Sequence, residues 1–195
     1  MGNIRERAGL TAGMLLAALS GCGAGKPPPV AVAPAAETAK AVHCLPQASG
    51  FLRARLRGAI NTDLSWSDAD MTCEGGARPD GKGIRISIAG PLEKQRRLRL
   101  LFGIDNSGAA LAGAAPALPT NITAILEGEK QLFATLGDDK CTTEQLQVVP
   151  LGTGSEQHVA ARGFCIGPAS TLDGRERLLV TTFDFSTRIV LGVTP

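Results

Sequence analysis

The sequence predicts a mainly β protein: an antiparallel β-sandwich or barrel with two disulfides and little helix. Three observations support this fold class. Apolar residues recur with a period of two in many short runs, and turn-forming residues separate these runs. Four cysteines lie beyond residue 41, in a segment of roughly 150 residues that suits a single core.

The first strands are predicted between Leu52 and Trp66, where apolar and polar residues alternate. The alternation slips at Gly58, which we interpret as a bulge or kink between two runs. Trp66 is in phase with the apolar positions, so we expect it in the core. A helix over 51–60 is the alternative interpretation. The polar positions of the first run are three arginines, Arg53, Arg55 and Arg57.

Later stretches show the same period of two. We expect Ile122–Leu126 and Gln131–Leu136 to pair through the turn at 127–130. In the last strong run we place four residues on one face, Leu179, Thr181, Phe183 and Phe185. The other predicted strands cover 84–88, 98–104 and 159–165.

Two stretches do not follow this pattern. The residues at 142–145 resemble a capped helix start, which predicts a short helix around Thr142 to Leu146. The stretch from Gly108 to Pro119 is rich in Ala, Gly and Pro, and is predicted to be a long surface loop.

The N-terminus has the parts of a secretory signal. Arg5 and Arg7 precede an apolar run of about a dozen residues, whereas a membrane-spanning helix needs roughly 20. The run ends in Leu19-Ser20-Gly21-Cys22, which resembles the bacterial lipobox. This resemblance implies cleavage before Cys22, lipidation of its thiol, and a membrane anchor in the cell envelope. Gly23 after the cysteine implies the outer membrane.

The chain is therefore divided into three parts. Residues 1–21 are the predicted lipoprotein signal peptide. Residues 22–41 hold the lipidated cysteine and a Pro/Ala-rich tether, in which prolines favour an extended chain. Residues 42–195 are predicted to form a single β-domain.

The remaining cysteines are Cys44, Cys73, Cys141 and Cys165. In an oxidising compartment an even number of cysteines predicts disulfides, and four allow three connectivities. We favour Cys44–Cys73 with Cys141–Cys165, because each pair lies in one half of the domain. Zinc is the alternative, but the chain has no CxxC pair and only two histidines, so no metal or cofactor is predicted.

Four turn and cysteine segments carry a second resemblance. Residues 73–81, 119–123, 137–141 and 163–165 are similar to those of an uncharacterised proteobacterial secreted β-domain that is often found in lipoproteins. The likeness covers most of residues 44–186. It supports the disulfide framework and implies no activity.

No catalytic constellation is visible in the sequence. His43 and His158 are far apart, and no pattern brings either to a nucleophile and an acid. The glycine-rich segment 75–83 lacks the spacing of a phosphate-binding loop and is predicted to be a turn. Asp138 and Asp139 are expected in a solvated turn rather than at a calcium site.

Basic residues give the best indication of function. The arginines of the first strand share a face, and four more basic residues cluster at 94–99. Such patches attract lipid headgroups, lipid A phosphates or acidic glycans, although acidic residues on neighbouring strands could equally pair with them. The net charge of only +2 argues against a nucleic-acid partner. The candidate anion-binding patch is Arg53, Arg55, Arg57, Arg96 and Arg97.

These observations predict an envelope lipoprotein with a non-catalytic β-domain that binds a partner protein or an envelope component. A periplasmic carrier of an apolar ligand or lipid is one alternative, and it requires an interior cavity. A hydrolase is the other, and it requires a cleft that joins two or more acidic residues from the set Asp63, Asp68, Asp70, Asp138 and Asp139.

Overall fold

The computed structural model describes residues 43–107 and 117–192. All of them belong to one compact unit, Lys40–Pro195. The predicted signal peptide, Cys22, the tether and most of the predicted loop at 108–119 lie outside the described residues. Among the described residues, none of the helices is long and apolar enough to cross a bilayer.

The described chain forms eleven strands in one antiparallel sheet. The strands are β1 Phe51–Gly58, β2 Thr62–Ser67, β3 Thr72–Ala77, β4 Gly83–Pro91, β5 Arg97–Asp105, β6 Leu118–Glu127, β7 Gln131–Ala134, β8 Cys141–Pro150, β9 Glu156–Cys165, β10 Ala169–Ser170 and β11 Arg177–Val190. Two single-turn 3-10 helices, Pro46–Ala48 and Glu93–Gln95, are the helices of these residues. The mainly β prediction is confirmed.

The strand order is β2-β1-β11-β10-β7-β6-β5-β4-β3, and β8 and β9 form a second route between β6 and β11. Strands β6 and β11 therefore belong to both routes. The start of β6 pairs with β8, and its later part pairs with β7. In the same way β11 pairs with β10 at its start and with β9 from Phe183 to Val190.

The sheet folds over so that distant strands share one core. The ring centroid of Phe102 on β5 lies 5.1 Å from that of Phe183 and 4.8 Å from that of Phe185, both on β11. Strands β5 and β11 are not hydrogen-bonded neighbours, so these contacts cross the interior. Leu98, Leu100 and Ile104 continue the buried face of β5.

Residues Gly58–Asn61 reverse the chain, which corrects the predicted bulge or kink. Gly58 has φ +108°, and its N–H donates to Oδ1 of Asn61 at 3.1 Å. The runs on either side form the antiparallel hairpin β1–β2, in which Leu52 opposes Trp66. The helical alternative over 51–60 is wrong. Trp66 is buried, as predicted, and its indole N–H donates to the carbonyl of Pro91.

The predicted helix around Thr142 to Leu146 is also wrong, because these residues belong to β8. The strand is held between two partners: Thr143 pairs with Gly163 of β9 and with Leu118 of β6. Its buried hydroxyl is 2.8 Å from that of Thr120. The local helix-start signal is overridden by this cross-strand bonding.

The last predicted strand is present, but only part of it has the predicted residues on the buried face. Strand β1 pairs Arg55 with Thr182 and Leu56 with Val180, so Thr181 is an extra residue on β11. This bulge shifts the alternation by one residue. Phe183 and Phe185 are buried as predicted, but before the bulge the buried residues are Leu178 and Val180, not Leu179 and Thr181.

Both favoured disulfides are present: Cys44–Cys73 and Cys141–Cys165. The second joins residues that face each other on neighbouring strands, with Cα atoms 3.9 Å apart. The first joins the start of the described chain to β3. The predicted hairpin of β6 and β7 is confirmed. The glycine-rich segment 75–83 is a turn only in its second part, because residues 75–77 belong to β3 and pair with β4.

Candidate binding groove

A groove runs across the outer faces of β2, β1, β11 and β9. Two rows of outward side chains border it, because successive residues of a strand point to opposite faces. In the first row Arg53 lies between Ser65 and Asp184, and Asp184 pairs in turn with Arg162.

In the second row Arg55 lies between Asp63 and Thr182. The cavity between the rows has a volume of about 610 Å³. We call this feature the binding groove.

Two further side chains complete the binding groove at its far end. Glu144 of β8 and Phe164 of β9 line it there. Glu144 lies where the register of β8 against β9 shifts by one residue, between Thr143 and Gln145. The lining of the groove thus includes three arginines, three carboxylates and two phenylalanines, the half-buried Phe164 and the buried Phe183.

The arginines differ in how their charge is balanced. Nε of Arg55 lies 3.8 Å from Oδ2 of Asp63, and Nη2 of Arg162 lies 3.4 Å from Oδ2 of Asp184. Arg55 and Arg162 remain 65% and 60% exposed. Exposed ion pairs of this kind contribute only about 0–1 kcal/mol to stability, so an incoming anion can compete for these guanidinium groups.

Arg53 is the most available cation of the groove. Its guanidinium carbon lies 4.9 Å from the ring centroid of Phe51, a cation–π contact that holds it over the sheet. Within the described part of the chain, no carboxylate lies within ion-pair distance of Arg53, although Asp184 is its partner in strand register. Arg53 can therefore bind a ligand carboxylate or phosphate without first losing an ion pair.

The candidate anion-binding patch is divided by the fold. Arg53 and Arg55 line the binding groove, whereas Arg57 at the end of β1 bonds Asp63 at 2.8 Å. Arg96 and Arg97 belong to the β5 side of the sheet, and β5 does not neighbour β1. The structure does not bring them into the groove.

Two acidic residues, Glu127 at the end of β6 and Glu129 on the turn that follows, engage the basic cluster of β5. Nε of Arg97 lies 3.1 Å from one carboxylate oxygen of Glu127, and Nη2 of Arg99 lies 2.7 Å from the other. Arg96 lies 3.7 Å from Glu129. Burial raises the pKa of Glu127, but the hydrogen bonds from Arg99 and Arg97 lower it by more, so its net pKa is below the usual value.

A buried carboxylate anchors the start of the domain. Asp68 is only 1% exposed and accepts hydrogen bonds from the main-chain N–H groups of Cys44, Leu45 and Gly50, each at 3.0 Å. Nδ1 of His43 lies 2.9 Å from its Oδ1. Burial raises the pKa of Asp68, and the bonds from His43 and from the three main-chain groups outweigh this, so its pKa is lowered.

His158 meets a hydroxyl group that sequence reasoning did not select. Its Nε2 lies 2.8 Å from Oγ of Ser186 on the neighbouring strand β11. Catalytic pairs of this kind also need an acid on the other ring nitrogen and donors for an oxyanion. Among the side-chain hydrogen bonds of the described residues, the imidazole of His158 makes only this one, which joins β9 to β11.

Asp63, Asp70 and Asp138, three of the acidic residues considered for a hydrolase, bind different partners. Asp63 pairs with arginines of β1, and Asp70 accepts bonds from Ser67. Asp138 accepts from Asn121 and from Arg78, whose side chain is only 10% exposed. No cluster of three metal-binding side chains occurs in residues 43–107 and 117–192.

Sequence reasoning found Arg53 and Arg55 but missed Arg162, Asp184 and Glu144. The alternation of β9 and β11 already places Arg162 and Asp184 on outer faces. What the sequence does not show is that β11 pairs with β1, and β9 in turn with β11, although both strands lie far from β1 in the chain.

Comparison of the chain with known proteins gives no family: no family model matches, and neither does any curated protein or solved structure. The interpretation of the binding groove therefore depends on its own geometry and charge.

Proposed function

We propose that this protein is a non-catalytic binding module, anchored by lipid at Cys22 in the bacterial cell envelope. Its binding groove takes a segment of a partner protein that carries carboxylates and basic side chains. The observation that carries the proposal is Arg53, which projects into a 610 Å³ groove with no ion-pair partner among the described residues.

The mixed charge of the groove supports a polypeptide partner over a polyanionic one. Asp63, Asp184 and Glu144 line the groove together with the arginines, so a uniformly anionic glycan would meet repulsion at three positions. A polypeptide can place an acidic side chain at Arg53 and basic ones at the carboxylates. Phe164 offers an apolar contact at the far end.

The interior of the domain gives less support to the alternative function, a periplasmic carrier of an apolar ligand or lipid. Phe102, Phe133, Phe183 and Phe185 are fully buried and fill the middle of the domain. An apolar ligand needs space at that place, so binding it would require the phenylalanine rings to move apart. The groove on the outer face needs no such change.

The anchor is tested by the intact mass of the protein extracted from membranes. We expect a chain that begins at Cys22, carries acyl chains and gains about four hydrogens on reduction of two disulfides. A Cys22→Ala variant provides the control, because it lacks the acceptor thiol and should carry no acyl chains. An unlipidated wild-type chain in the soluble fraction contradicts the anchor.

The groove is tested separately by photo-crosslinking in intact cells. A photoreactive residue in place of Ser65, beside Arg53, should give a discrete protein adduct. The same residue in place of Lys130, on the exposed turn between β6 and β7, serves as the control. We expect Arg53→Gln to reduce the Ser65 adduct about 10-fold or more, since a charge-assisted hydrogen bond contributes about 1.5–3 kcal/mol.

Equal adducts at both positions, or an adduct at Ser65 that Arg53→Gln does not change, contradict the proposed role of the groove. The proposed anchor and the proposed role of the groove can be refuted independently, because the mass measurement does not involve the groove residues.

A further inference from the structure

The charged side chains of the binding groove follow the order of the strands. From β2 through β1, β11 and β9 to β8, the groove is lined in turn by Asp63, Arg53, Asp184, Arg162 and Glu144. A carboxylate therefore lies at each end of the groove, and between these ends an arginine lies on each side of β11. A ligand that fills the groove has to match this order of charges.

The two inner arginines are separated by one strand. Arg53 and Arg162 are both register partners of Asp184, on opposite sides of β11, and the three side chains belong to one outward row. Neighbouring strands lie about 4.8 Å apart, so the Cα atoms of the two arginines are roughly 9.6 Å apart. The groove thus presents two guanidinium groups that are separated by two strand spacings.

One backbone conformation matches both this spacing and the width of the groove. A polyproline II segment has three residues per turn and a rise of about 3.1 Å, so every third side chain returns to the same side after about 9.3 Å. In an extended strand the side chains of one face repeat after roughly 6.7 Å, which matches neither one strand spacing nor two. An α-helix is about 10–12 Å wide, whereas the two rows that border the groove are only two residues apart along each strand, roughly 6.7 Å.

We propose that the ligand of the binding groove is a polyproline II segment of the partner protein, with two acidic residues three positions apart and basic residues on both sides of them. The acidic side chains bind Arg53 and Arg162. The two residues between them are turned by about 120° and 240° along the segment, so neither presents its side chain to Asp184. The inference rests on the proposed function, because it specifies which kind of polypeptide the groove takes.

The two ends of the groove fit the flanking residues of the same segment. Asp63 on β2 and Glu144 on β8 are the outermost charges of the lining, and each can pair with a basic side chain of the ligand. Phe164 of β9 also lines the groove. Aromatic side chains of this kind are the usual contact surface for proline-rich segments.

The parts of this chain outside the described residues do not contain such a segment. Residues 108–116 and 193–195 have no acidic side chain. Residues 1–42 include the Pro/Ala-rich tether, but their two acidic residues, Glu6 and Glu37, are far apart in the sequence. The charge pattern therefore favours a segment of another protein over the tether of this chain or of a second copy.

The inference is tested by the binding of synthetic peptides to the purified full-length chain. The probe is a fluorescently labelled Lys-Pro-Glu-Pro-Pro-Glu-Pro-Lys with blocked ends. Its fluorescence anisotropy is measured at low ionic strength, because salt screens exposed charges.

Two control peptides separate spacing from conformation. Lys-Pro-Glu-Pro-Glu-Pro-Pro-Lys has the same composition and charge, but its acidic residues are two positions apart. We expect it to bind about 10-fold more weakly or worse, because one carboxylate loses its charge-assisted bond to an arginine. Lys-Ala-Glu-Ala-Ala-Glu-Ala-Lys keeps the spacing, and it should also bind more weakly because it is not held in the polyproline II conformation.

Substitutions in the groove test the assignment of the two arginines. Arg53→Gln and Arg162→Gln should each weaken binding of the first peptide about 10-fold. Each should also remove the preference over the peptide with acidic residues two positions apart, since only one arginine remains. Arg175→Gln is the matched control, because Arg175 is 85% exposed and lies outside the groove; it should change neither value. Circular dichroism shows whether each variant has folded.

Four outcomes overturn the inference: no binding of the first peptide, equal binding of the two proline peptides, an alanine peptide that binds as tightly as the first, or a preference that Arg162→Gln does not remove. In each case an adduct at Ser65 in cells that depends on Arg53 would still support the proposed function. The peptide preference without any adduct at Ser65 would support the ligand class and contradict a partner in the cell envelope.

Discussion

The carboxylate of Asp68 accepts a hydrogen bond at 3.0 Å from the main-chain N–H of Gly50, which lies 18 residues earlier in the chain. The contact is close, because a Cβ atom at position 50 would overlap Oδ2 of Asp68. Together with the bonds from Cys44 and Leu45, this carboxylate ties the segment before β1 to the turn after β2.

Replacement of Asp68 by Ala should destabilise the domain by about 3–5 kcal/mol, because three main-chain N–H groups lose their acceptor in a buried site. Denaturant unfolding with both disulfides intact measures the change. Asp70→Ala is the control, since Asp70 is exposed and bonds only Ser67; we expect a loss of about 1 kcal/mol or less. Equal losses would contradict the role given to Asp68.

The stability of the domain should fall in acid partly because of the same residue. The pKa of Asp68 is lowered in the folded state, so its contribution is present above about pH 4 and is lost as the pH falls through the folded pKa. In Asp68→Asn the free energy of unfolding should vary less with pH below 4. If the free energy of unfolding of Asp68→Asn varied with pH as steeply as that of the wild type, this assignment would be contradicted. Five other carboxyl groups whose pKa values are lowered contribute to the remaining pH dependence: Asp70, Asp80, Asp105, Glu127 and Asp173.

Loss of either disulfide should reduce stability by a similar amount. The bridges close loops with separations of 29 and 24 residues. The chain-entropy model gives about 3.5 kcal/mol for loops of this length. The variants are Cys44→Ala with Cys73→Ala, and Cys141→Ala with Cys165→Ala, compared by thermal unfolding. A loss below about 1 kcal/mol for one pair would show that its loop is already restrained in the unfolded chain.

Gly90→Ala should disturb the core through Trp66. A Cβ atom at position 90 would lie 2.7 Å from two ring atoms of that indole, so the ring has to shift, at a loss of about 1–3 kcal/mol. Trp66 is the only tryptophan of the chain, and its fluorescence reports the change directly. Gly154→Ala is the control, because nothing lies within 4 Å of its Cβ position. An unchanged emission spectrum and stability in Gly90→Ala would contradict the contact.

The sequence predicts single strands well wherever one face is uniformly apolar. The alternation of Ile84, Ile86 and Ile88 leaves one choice of buried face, and the structure agrees. The prediction is wrong at places that depend on a partner strand. The bulge at Thr181 exists because β1 pairs on both sides of it, and the sequence of β11 alone contains no signal for it.

The binding groove shows the same limit of sequence-based prediction, here in the order of the strands. A period of two is sufficient to place Arg53 and Arg55 on one outer face. It cannot show that Asp184 and Arg162 lie beside them, because strand order is determined by contacts between residues far apart in the chain. For that reason the sequence groups Arg53 with Arg96, whereas the fold separates them.

The bridge between Cys44 and Cys73 has a mechanical consequence. Tension that arrives through the chain before His43 reaches Cys44 and passes through a covalent bond into β3, at the opposite end of the strand order from β2. Strand β1, which begins at Phe51, is therefore not peeled from its neighbours one hydrogen bond at a time. In the oxidised protein a pull on the N-terminus is carried into β3, which six residue pairs hold to β4, whereas in the reduced protein the pull reaches β1 through the main chain alone.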